Sequence, residues 1–233
     1  SDNTFVGDEA GGATTTGAQN TAIGEAALDA NSTGSHNTAV GRSALTSATT
    51  ADYNTAVGSG AMDTTTTGAQ NVAVGRKAMD ANTTGANNVA VGYTALDANT
   101  TANNNTAVGH TALGANTTGT GNTAVGQQAG LSITTGDDNT IVGQAAGDAL
   151  TTGEYNVAIG QGALSAATTA SYNTAVGRYA LISNTGANNT GIGYNSLGAN
   201  TTAGDNTAVG YTAASTNTTG TNNAAFGAYA LGL

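Results

Sequence analysis

The chain has 233 residues with 35 Gly, no Pro, no Cys and no Trp, and only 8% of them are charged, against roughly 25% in ordinary globular chains. Without cysteine there is neither a disulfide framework nor a thiolate metal site. A net charge of −10, with Arg42, Arg76, Lys77 and Arg178 as the only cations, disfavours nucleic-acid backbones and anionic membranes as partners.

Such low charge, combined with regularly placed Val and Leu, also separates the chain from disordered sequences. No apolar run approaches the length of a membrane span. Ser1 falls directly in repeat sequence, so no leader peptide is expected.

Read from the N-terminus, an Asn-Thr-Ala-Val-Gly pattern places its Asn at Asn3, Asn20, Asn37, Asn54, Asn71, Asn88, Asn105, Asn122, Asn139, Asn156 and Asn173, each 17 residues apart. One step of 16 leads to Asn189, and the spacing of 17 resumes at Asn206 and Asn223. The lost residue lies between Leu181 and Asn188, where a Thr-Thr pair is reduced to Thr185. Counting from each Asn as position 1, the unit reads N-T-A-V-G-x-x-A-L-x-A-N-T-T-G-x-x. This is too short for a helical hairpin or a propeller blade, and its Gly, Thr and Asn disfavour helix interiors. The period predicts an all-β parallel β-solenoid, one domain over residues 1–233, of about fourteen turns. At ~4.8 Å per turn it would form a rod of roughly 65 Å.

Period-2 alternation predicts side-chain direction. Position 4 (Val40, Val57) is expected inward with position 9 (Leu28, Leu45). The repeated Asn (Asn20, Asn37, Asn54, Asn71) is expected to form a structural amide ladder. Position 3 (Ala22, Ala39, Ala56, Ala73) and position 13 (Thr83, Thr100, Thr117) are then expected outward as candidate interfaces, with position 14 inward. Position 9 becomes Gly130 and Gly147 in adjacent turns, in which position 12 becomes Ile133 and Leu150. A close-packed interior makes such exchanges, so positions 9 and 12 are expected to fill one space.

Catalysis needs unlike residues converging in a cleft, whereas each repeat position here is monotonous. No enzyme activity, cofactor or metal is expected. His36 and His110 occupy different repeat positions and read as solvated corners. Asp137-Asp138-Asn139 and Gly204-Asp205-Asn206 hold possible calcium oxygens, but read as turn formers.

Outward Ala ladders and a thin core predict a homo-oligomer, a trimer or a filament. The chain opens at position 16 and closes at position 11 without polar caps, which suggests excision from a longer protein or ends that stack. Tyr155, Tyr172, Tyr179, Tyr194 and Tyr211 form a candidate contact zone for a glycan or protein. The leading expectation is a non-catalytic structural or adhesive rod that presents a repetitive binding surface; the alternatives are ice binding through flat Thr, Ala and Gly surfaces and an end-to-end self-assembling filament.

Asn71-Val72-Ala73-Val74-Gly75 and Asn156-Val157-Ala158-Ile159-Gly160 resemble the Ser-Val-Ala-Ile-Gly-x-x-Ala head repeats of trimeric autotransporter adhesins. The unit is also similar to the Asn-Thr-Ala-Ile-Gly arrays of tail-fibre-like proteins. The resemblance implies a left-handed, trimeric β-roll at a cell or virion surface or outside the cell, acting as a structural or adhesive rod on a host surface, glycan or matrix. The longer turn and the Thr-Thr-Gly segment depart from the adhesin pattern.

Overall fold

The computed structural model describes residues 2–232 and holds fourteen strands of three residues each, at positions 2–4 of every repeat. The fold is a parallel β-solenoid of about thirteen turns, one fewer than expected because the last repeat is incomplete. Two compact units divide at Thr118 and Gly119. The first contains β1 (Thr4–Val6), β2 (Thr21–Ile23), β3 (Thr38–Val40), β4 (Thr55–Val57), β5 (Val72–Val74), β6 (Val89–Val91) and β7 (Thr106–Val108). The second contains β8 (Thr123–Val125), β9 (Thr140–Val142), β10 (Val157–Ile159), β11 (Thr174–Val176), β12 (Thr190–Ile192), β13 (Thr207–Val209) and β14 (Ala224–Phe226).

Within each unit the strands pair in sequence order, and every residue lies beside its equivalent in the next turn. The short step preserves this register, with Thr174 beside Thr190. The loop absorbs the deletion, because the N–H groups of Thr185 and Gly186 both donate to the Thr201 carbonyl.

Corners rather than strands occupy most of each turn. Positions 7, 9 and 17 adopt left-handed backbone even when they are not glycine, as at Ala26 (φ 54°), Leu28 (φ 55°) and His36 (φ 61°). Asn and Asp tolerate this region best among residues with a Cβ, which accounts for Asn87, Asn104, Asp138, Asn188 and Asp205 at position 17. Position 5 is stricter. Gly24 has φ 133°, and a Cβ there would lie 2.6 Å from the Gly41 carbonyl oxygen.

The alternation is opposite to that expected from the sequence. Ala22, Ala39, Ala56 and Ala73 at position 3 are completely buried, so they are core residues and not interface candidates. Val40 and Val57 at position 4 are half-buried on the outside, and Ile23 remains 41% exposed. The interior is too thin for branched side chains on both walls. Position 3 faces position 9, where Leu28, Leu45, Met62 and Met79 already fill the space.

The exceptions show this opposition directly. Phe5 occupies position 3 where position 9 is Gly11, and a Cβ on that glycine would sit 2.5 Å from the Phe5 ring. Gly147 likewise makes room for Ile141 and Leu150, whose Cδ1 atoms would each be 3.0 Å from an added Cβ. Ile133 and Leu150 are fully buried, which places positions 9 and 12 in one space.

Buried Asn side chains join the turns. The Asn71 Oδ1 accepts the Asn88 backbone N–H at 2.9 Å, and its Nδ2 donates to the Gly85 carbonyl at 2.8 Å. Asn20, Asn37 and Asn54 repeat the arrangement. A second buried Asn at position 12 shares the same acceptor, since Asn82 Nδ2 also reaches the Gly85 carbonyl at 3.1 Å. Both lone pairs of that oxygen are thereby satisfied.

Candidate functional site: the outward strand face

With Ala turned inward, positions 2 and 4 form the outer face of each sheet. Position 2 is Thr or Val, with Ala224 last, and position 4 is Val or Ile, with Phe226 last; none is charged. Neighbouring turns repeat at ~4.8 Å across the strands, and positions 2 and 4 lie ~6.6 Å apart along them. Val74, Val125, Ile159 and Ile192 keep 37%, 37%, 38% and 37% of their surface. Each unit thus carries two parallel rows of largely β-branched side chains.

Hydroxyl partners separate this face from the other Thr rows. At position 13, Thr66, Thr83 and Thr100 each donate Oγ1 to the position-13 carbonyl of the following turn, at 3.1, 3.0 and 3.2 Å. Thr83, Thr100 and Thr117 are half-buried, like Thr38 and Val40 on the strand face, and the Thr83 and Thr100 hydroxyls are taken up in these bonds between turns. Position 14 was expected inward, yet Thr84, Thr101 and Thr118 are exposed. On the strand face, among the described residues, the hydroxyls of Thr21, Thr38, Thr55, Thr174, Thr190 and Thr207 make no hydrogen bond within the protein. They are available to solvent, as are the single-file Thr at position 14.

The tyrosines stack chiefly on one another. Tyr155 and Tyr172 lie parallel with centroids 5.2 Å apart, as do Tyr194 and Tyr211 at 5.3 Å. Tyr179 meets Tyr194 edge-on, and the Arg178 guanidinium lies 4.4 Å from its ring centroid. In each stacked pair one ring face is covered by its neighbour, which reduces the surface available for stacking against a sugar. His36 stacks on Tyr53 and His110 on Tyr93, so both histidines belong to corner stacks.

Asp138 and Asp205 sit at left-handed corners (φ 54° and 60°), whereas the position-16 aspartates bridge successive turns. Asp52 Oδ1 accepts the Ser35 backbone N–H at 2.7 Å, and Asp137 takes the equivalent N–H of Thr120. Among the described residues no group of three or more His, Asp or Glu is arranged to hold a metal ion. No helix of the described residues is long and apolar enough to cross a membrane. Comparison with protein families, curated proteins and solved structures finds no match to this chain.

Proposed function

We propose that the chain is a non-catalytic ice-binding β-solenoid whose binding surface is the Thr-x-Val strand face. The observation that carries this reading is the monotony of the face: positions 2 and 4 keep one uncharged, mostly β-branched character through fourteen strands. A protein or glycan ligand is finite and would select particular turns. A surface repeated at every turn complements a ligand that is itself periodic. Absence of charge argues against an ionic mineral. Unpaired hydroxyls beside methyl groups can hold ordered water, and the rows recur at distances comparable with those of the oxygen net on prism faces of ice. Parallel strands, with buried Asn amides between turns, hold that spacing rigidly, which reduces the ordering cost on binding.

Single substitutions Thr38→Lys and Thr55→Lys, each placing a charge in the face, should remove most thermal hysteresis while leaving the melting temperature and circular dichroism unchanged. Thr84→Lys, in the single row at position 14, should leave activity intact. Loss of activity in the Thr84 variant alone would move the site to that row.

A second reading is favoured by one observation. The exposed Val and Ile row is apolar surface of a kind that marks interfaces, so a second copy of the chain could cover it in a homo-oligomeric, fibre-like assembly. Light scattering separates the two, because a stable oligomer that buries this face leaves none of it for ice.

A further inference from the structure

Three of the chain's four cations converge in the first unit, in a molecule of net charge −10. Arg42, Arg76 and Lys77 line one cleft of about 230 Å³ with Ser59, Gly60 and two carboxylates, Asp63 and Asp80. Its origin is a gap in the corner rows. At position 6 the series runs Arg42, Ser59, Arg76, and at position 7 it runs Ser43, Gly60, Lys77. A turn with almost no side chain therefore lies between two long basic ones, whose backbones are about 10 Å apart. Gly60 leaves the floor open, since an added Cβ would find its nearest neighbours at 3.6 Å (Lys77 Cγ) and 4.0 Å (Asp80 Oδ1).

The cations are not all neutralised. Lys77 pairs with Asp80 at 3.0 Å. Arg76 donates to the Tyr93 hydroxyl at 3.3 Å, a neutral partner that positions the guanidinium without removing its charge. Arg42 makes no ion pair or hydrogen bond through its side chain among the described residues. Arg42 and Arg76 are both exposed and both line the cleft, and a guanidinium is suited to a carboxylate or sulfate, which it can bind through two parallel hydrogen bonds.

Asp63, also half-buried in the lining, narrows the ligand further. It would repel a bare anion but accept hydrogen bonds from hydroxyl groups. We infer that the Arg42–Arg76 cleft binds an acidic saccharide, with the ligand's carboxylate or sulfate on the guanidiniums and its hydroxyls on Asp63. The volume lies below the roughly 300–1,000 Å³ of drug-sized sites, so one sugar unit of a longer chain would enter. This site is independent of the strand-face reading and would bring the protein to an anionic polysaccharide whether or not it binds ice.

The test is titration of the full chain with an oligogalacturonate, with sodium sulfate and inorganic phosphate as separate probes. It is followed by calorimetry and by the amide shift of Gly60. Saturable saccharide binding is expected, weakened about tenfold or more by Arg42→Ala and by Arg76→Ala, and unaffected by Arg178→Ala in the other unit. Arg42→Lys should recover only part of the loss. Asp63→Asn should weaken the saccharide and strengthen sulfate. Sulfate or phosphate binding as tightly as the saccharide would identify a simple anion site and overturn the assignment. So would saccharide binding indifferent to Arg42 and Arg76, or no saturable binding at all.

Discussion

Replacement of Asn71 tests whether buried amides join the turns. The side chain is completely buried and engages three groups: the Asn88 N–H at 2.9 Å, the Gly85 carbonyl at 2.8 Å and, more weakly, the Asn88 Nδ2 at 3.2 Å. Asn71→Ala leaves the Asn88 N–H buried without an acceptor, a cost of ~1–3 kcal/mol. The Gly85 carbonyl keeps Asn82 as a donor, so its loss is smaller. With the small cavity included, a total of about 2–4 kcal/mol is expected.

Asn71→Asp is more discriminating. When protonated, the carboxyl can donate to the Gly85 carbonyl and accept from Asn88, as the amide does. When ionised it is a buried charge without a cation, so its folded-state pKa must rise above the unfolded value near ~3.9. A raised carboxyl pKa means that stability is full below the unfolded value and is lost as pH rises through the folded one. Relative to wild type, the variant should be nearly unchanged at about pH 3 and strongly destabilised at about pH 7. Urea melts at both pH values measure this, with hydrogen exchange at the Asn88 amide as a local readout, since repeat arrays can depart from two-state unfolding. An Asp variant with the same deficit at both pH values would refute the sealed ladder.

Three further outcomes follow from the geometry. Ala73→Val, in the filled interior, should cost ~1–3 kcal/mol by overpacking, whereas Val74→Thr on the outer face should change stability by less than ~1 kcal/mol; thermal melts of the pair test side-chain direction. Gly24→Ala should lower the melting temperature far more than Gly60→Ala, because the first drives a Cβ to 2.6 Å from the Gly41 carbonyl and the second meets nothing closer than 3.6 Å. Burial, with the Asp80 charge second, holds the Asp97 carboxyl above the usual carboxylate range. The ionised form therefore costs native stability as pH rises above the unfolded value, and Asp97→Asn should raise the melting temperature near neutral pH with the gain vanishing in acid.

The period of 17, the strand-and-corner composition and the parallel stacking were all legible in the sequence, because each leaves a residue type at a fixed offset. Side-chain direction was not. Val at position 4 and Ala at position 3 suggest that the larger residue points inward, and apolar patterning alone supports that reading. The corrective signal lay in the exceptions. Phe5 coincides with Gly11 and Ile141 with Gly147, an exchange that places position 3 opposite position 9 in the core.

The free hydroxyl row was hidden for the same reason. A Thr at position 2 and a Thr at position 13 look alike until the backbone shows that only the latter meets a carbonyl in the following turn. Tyrosine stacking was likewise out of reach, because it depends on corner residues one turn apart adopting the same direction.

Ice binding by the strand face is tested most directly by growing a polycrystalline ice hemisphere slowly from a dilute solution of fluorescently labelled protein. Wild-type protein should be incorporated into the ice and Thr55→Lys excluded with the solutes. Exclusion of the folded, monomeric wild-type protein from the ice would contradict ice binding.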